Sequence, residues 1–71
     1  MVDQAIATPA TRLRTALASL HWSGRLLAAL LRRDSRQIRR WTSGAYDPPE
    51  AVLAWLERLA AFHAEHPPPG S

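Results

Sequence analysis

Four helix-start signals punctuate this chain of 71 residues, and no stretch between them alternates apolar and polar residues as a strand would. The pattern points to helices packed on helices. Thr8-Pro9 places a hydroxyl cap before a proline at the first helical position, where the missing N–H costs nothing. Leu13, Leu17 and Leu20 follow at i, i+4 and i+7 with Ala16 beside them, so the first helix is expected over 9–20. His21-Trp22 breaks that spacing. Ser23 then caps a second helix over 24–31, with Leu27, Ala28 and Leu31 inward. Trp22 and Leu27 stand at the two positions of a hydrophobic staple. Arg32-Arg33 reads as a turn. Asp34 and Gln37 have capping-box spacing and open a third helix over 35–43, with Ile38 and Trp41 inward and Gly44 as its terminator. Asp47-Pro48-Pro49-Glu50 combines a cap, a first-position proline and a box glutamate, so a fourth helix is expected over 48–65. Its stripe is Val52, Leu56, Leu59 and Phe62 or His63, widened by Leu53 and Ala60, with Trp55 near the edge.

The expected fold is therefore all-α: a small four-helix domain over 8–66. Residues 1–7 read as a flexible arm, and the proline-rich 67–71 as a disordered tail. One domain of this size buries a modest core. No cysteine is present to brace it, and dimerisation is a common remedy. The longest run free of Arg, Asp and Glu, 15–24, contains Thr15, Ser19, His21 and Ser23 and is too short to span a membrane. Asp3 and the lack of a basic-then-apolar opening argue against a signal peptide. The expected location is cytoplasmic.

Charge is unevenly placed. All nine basic residues are arginine, and the net charge is +3. Six of them lie between Arg25 and Arg40 with one acid, Asp34, so this segment carries +5 and the remainder −2. A positive field concentrated on one pair of helices fits a phosphate backbone as partner. Arginine can also grip phosphate or guanine through two N–H groups at once. The bland alternative is a solvated basic face, but few acids lie nearby to pair with it.

The segment from Leu13 to Gly44 resembles the helix-turn-helix domain of the lambda-repressor/Cro-like (XRE) family. Trp22-Ser23, Leu27-Ala28 and the run Arg36-Gln37-Ile38-Arg39-Arg40-Trp41-Thr42-Ser43-Gly44 carry the resemblance. Ala28 matches the family's small residue in the first motif helix. Ile38 and Trp41 match the buried positions of its recognition helix. The chain departs from the pattern in three ways. Arg32 stands where a turn glycine is usual, Gly24 and Leu26 replace polar residues, and one long fourth helix takes the place of two.

The resemblance implies a transcriptional regulator, expected to be a repressor, that sets its third helix in the major groove of double-stranded DNA. By position it makes Ser35, Arg36 and Arg40 the base-facing residues. Helical spacing agrees, since Arg36 and Arg40 are i, i+4 neighbours opposite Ile38 and Trp41. Arg25, Arg33, Gln37 and Arg39, with the N–H groups opening the second helix, are expected at phosphates. The C-terminal half of the fourth helix reaches past so small a bundle. Leu56, Leu59, Phe62 and His63 are therefore expected to form a homodimer interface on an inverted-repeat operator; the alternative is a monomer with a frayed helix end.

His63 and His66 could suggest a metal, but with no cysteine or third ligand nearby none is expected. No small-molecule ligand or cofactor is expected. No nucleophile–base arrangement or glycine-rich phosphate loop is evident, so an enzyme is not expected. The rival from another class is a protein-interaction module, an antitoxin or adaptor using the fourth helix and the arginine face. An RNA-binding reading is weaker, because no exposed aromatic platform is evident.

Overall fold

A computed structural model describes residues 7–69. Its helices are α1 (Pro9–Leu20), α2 (Gly24–Leu31), α3 (Ser35–Ser43) and α4 (Glu50–Glu65), and the described residues include no strand. Apart from Ala7, the arm expected over 1–7 lies outside the described residues, as do Gly70 and Ser71 of the tail. No helix among the described residues is long and apolar enough to cross a membrane.

The first three helices begin where their caps dictate. The hydroxyl of Thr8 accepts from the Thr11 N–H at 3.1 Å, and that of Ser23 from the Leu26 N–H at 3.0 Å. The Asp34 carboxylate accepts from the Arg36 N–H at 2.9 Å. Each satisfies a donor that the helix itself leaves unpaired. Gln37 does not return to close the expected capping box. Its side-chain oxygen accepts instead from Arg33 at 3.2 Å.

The α4 start corrects the expected one. The helix begins at Glu50, two residues late, and no side chain caps it. Two adjacent prolines explain this. Pro49 crowds Pro48 out of the helical region, and neither has an N–H for Asp47 to accept from. Pro48 is buried instead. Glu50 is thereby free for another role.

Two helix ends take a left-handed residue that is not glycine. His21 ends α1 at φ 60°, and Arg32 ends α2 at φ 57°. Both ends carry the paired bonds of a Schellman motif: Trp22 N–H to the Leu17 carbonyl at 2.9 Å, and Arg33 N–H to the Ala28 carbonyl at 2.9 Å. The turn before α3 therefore keeps a left-handed residue even with arginine in place of glycine. Gly44 ends α3 at φ 91°, where a side chain would be strained.

One core joins all four helices. Leu13, Leu27, Ile38, Leu53 and Leu56 are essentially sealed from solvent, with Ala16, Leu17, Ala28 and Trp41 buried among them. α1 packs against α3 and α4, and α2 packs against α3. Trp22 and Trp55 lie over one edge with ring centroids 6.1 Å apart. The α4 stripe is rotated from the expected one: Leu53 and Leu56 lie at its centre, while Val52 and Leu59 are only half-buried. Leu56 is sealed inside the chain, so it belongs to this core and has no surface to offer an interface.

A charged clamp braces α1 against α4. Arg12 Nε and Nη2 donate to the two Glu57 oxygens at 2.9 and 2.7 Å, and Nη1 and Nη2 to Glu50 at 3.2 and 3.0 Å. The Arg12 hydrogen bonds hold the Glu57 carboxyl below its ordinary range, against a smaller opposing effect of burial.

Two predictions follow from these contacts. Replacing Arg32 by glycine removes the left-handed strain and should raise stability by about 1 kcal/mol, a few degrees in a thermal melt. An unchanged or lower melting temperature would contradict the strain. Glu57 is depressed in the fold, so its contribution is complete at neutral pH and is lost as pH falls through the lowered value. Glu57→Gln should therefore lower the melting temperature at pH 7 and flatten its decline in acid. Parallel acid profiles for the two proteins would rule that out.

Candidate nucleic-acid interface

Burial of Ile38 and Trp41 leaves Ser35, Arg36, Arg39 and Arg40 on the outside of α3, all exposed. The arginines divide by what they touch. Arg12 is spent on the α4 carboxylates. Arg33 lies with its guanidinium carbon 5.4 Å from the Trp41 ring centroid and donates to Gln37. Arg40 leans toward Tyr46 at 6.0 Å. Arg25, Arg32, Arg36 and Arg39 make no side-chain hydrogen bond or ion pair with any described residue. A cation without an internal partner stays hydrated and keeps all its donors for an external anion.

Three shallow depressions cross this face. The first, between the start of α2 and α3, is lined by Gly24, Arg25, Ser35, Ile38, Arg39 and Thr42. A Cβ at position 24 would meet Ile38 Cγ2 at 3.4 Å, an ordinary van der Waals contact, so the start of α2 lies against α3. The second is lined by Arg14, Arg36, Arg39, Arg40, Thr42 and Ser43. The third gathers Arg33, Gln37, Arg40 and Trp41 with Tyr46, Asp47 and Pro49 from the α3–α4 loop. Arg39 thus links the first two, and Arg40 the last two. Ser35 lies with Arg25 and Arg39, not with Arg36 and Arg40. Gln37 is half-buried and already engaged through its oxygen.

Two participants were not anticipated. Arg14 comes from α1, and one of its terminal nitrogens donates to the Thr42 carbonyl at the end of α3. Its place on the α1 surface gave no signal of this, because the contact spans 28 residues. Tyr46 is 63% exposed beside Arg40, so an exposed aromatic does border the basic face.

The expected dimer residues are less uniform. Leu59 is half-buried, and His63 is half-buried with its ring 6.1 Å from that of His21. Phe62 is 62% exposed and stacks on His66 at 4.2 Å. A second apolar pair, Leu26 and Leu30, is exposed one turn apart on α2. His63 and His66 do not converge as a pair of ligands: His66 Nδ1 lies 3.0 Å from the Phe62 carbonyl. Among the described residues, no group of three or more His, Cys, Asp or Glu could hold a metal ion.

Comparison of the chain with protein-family models, with curated proteins and with solved structures finds no match.

Proposed function

We propose that the protein is a sequence-specific duplex-DNA-binding regulator of the helix-turn-helix kind, acting as a repressor and docking α3 in the major groove. The single observation that carries the reading is the outward face of α3, where Arg36 and Arg39 have no partner among the described residues while Ile38 and Trp41 anchor the helix from behind. A rigid helix bearing unpaired guanidinium groups suits a groove lined by phosphates and guanine edges. In this reading Arg36 and Arg40 meet bases, Ser35 meets one from the neighbouring depression that it shares with Arg25 and Arg39, and Arg25, Arg33, Gln37 and Arg39 serve phosphates. The strained Arg32 adds one more charge at the turn.

The protein acts as a homodimer on an inverted repeat, through an α4 surface reduced to Leu59, Phe62 and His63. Phe62 supports this, as a large apolar ring left in water. The competing reading is a protein-interaction module. Leu26 and Leu30 favour it, because their exposed edge of α2 offers a second apolar contact.

Arg25→Ala and Arg39→Ala should weaken binding to every duplex alike and reduce the salt dependence of affinity by about one unit each. Arg40→Lys keeps the charge but loses the planar fork, so non-specific binding should survive while discrimination falls by roughly 1–3 kcal/mol at one base pair per half-site. Competition against single-base variants of a selected site separates the two effects. A uniform loss across all variants would move Arg40 to the phosphates. For assembly, sedimentation should find Phe62→Glu monomeric and the native chain dimeric; a native monomer at high concentration would remove the dimer from the account.

A further inference from the structure

The depression at the C-terminal half of α3 has an unusual lining. Four arginines border it, Arg14 from α1 with Arg36, Arg39 and Arg40 from α3, together with Thr42 and Ser43, and none of the described lining residues is a carboxylate. Like charges gathered in one concavity repel each other and lower the stability of the fold unless an anion joins them. The local structure uses little of this charge. Arg14 donates once to the Thr42 carbonyl and, more weakly, to the Thr11 hydroxyl at 3.4 Å. A guanidinium has five N–H donors, so most of Arg14 remains available. The Thr42 bond also fixes where that guanidinium sits, which lowers the ordering cost of binding.

The hydroxyls of Thr42 and Ser43 are not competitors for a ligand's charge. They donate backward at 3.1 Å to the Arg39 and Arg40 carbonyls, so the end of α3 satisfies itself. The depression is shallow and open to solvent, not an enclosed cavity. That shape suits a phosphate carried on a chain that enters and leaves.

We propose that Arg14 completes, with Arg39, a seat for one phosphodiester of a nucleic-acid backbone beside the base-facing Arg36 and Arg40, so that α1 takes part in binding alongside α3. The seat rests on the DNA reading above but makes its own claim. Arg14 is a contact residue, and its bond to Thr42 positions it.

The test compares four full-length proteins: native, Arg14→Met, Arg14→Lys and Arg58→Met. Arg58 lies on α4, is exposed, makes no ion pair with a described residue and does not line the depression, so it controls for net charge. Affinity for a mixed-sequence duplex is measured across roughly 50 to 200 mM salt. Circular dichroism verifies the fold, and Arg14→Gln replaces Arg14→Met if the latter melts early. The seat requires the salt slope to fall by about one unit in Arg14→Met, to persist in Arg14→Lys, and to be unchanged in Arg58→Met. A native slope in Arg14→Met, or an equal fall in Arg58→Met, overturns it. A fall in Arg14→Lys as large as in Arg14→Met also overturns it, because the Thr42 tie alone would then be at stake. If the native protein binds no duplex, the DNA reading fails, and the same variants are titrated with inorganic tripolyphosphate. Weakening confined to Arg14→Met then keeps the seat for a phosphate chain; equal affinities end it.

Discussion

Ile38 and Trp41 hold α3 by its inner face, and the direction of every arginine on that helix depends on their burial. Both share a core with Leu13 and Leu27, so α3 cannot rotate without exposing a large ring and a branched side chain. Losing either would cost roughly 3–5 kcal/mol for the aromatic and 2–5 for the isoleucine, a large share of what so small a domain possesses. The hydrophobic effect here acts as an orienting force. It has no interest in arginine, yet it fixes Arg36 and Arg40 outward and one turn apart.

The charges then divide between bracing and display. Arg12 meets two carboxylates and joins α1 to α4. Arg14 touches a helix-end carbonyl, where a cation complements the dipole. Most arginines of the α2–turn–α3 unit find no such partner among the described residues. Their mutual repulsion and the left-handed Arg32 both work against stability. In the proposed function a polyanion relieves the first cost on binding, so the tension in the free protein becomes part of its affinity for DNA.

Local chemistry made much of the fold legible. The boundaries of α1, α2 and α3 follow from Thr8, Ser23 and Asp34, because a cap acts within four residues and needs no tertiary partner. The Pro48-Pro49 pair misled for the same local reason: each proline is a good first residue, but the second excludes the first from the helix. Leu56 illustrates a different limit. Spacing identified an apolar stripe on α4 but not which part of it the chain itself would cover. For the candidate site, the family resemblance with helical spacing pointed to Arg36 and Arg40, and the charge of the segment to Arg39. Arg14 and Tyr46 escaped it, since packing across the chain brings the one to α3 and a loop brings the other to Arg40.

The central proposal is that the outer face of α3 reads duplex DNA. Selection of binding sites from a randomised duplex pool tests it most directly, with the full chain as bait. The account predicts enrichment of a guanine-containing half-site, repeated in inverted orientation about one helical turn, roughly 34 Å, away. A pool that emerges with no preferred sequence, although the protein retains it at low salt, would contradict base reading by α3 and leave the arginine face as a general anion surface.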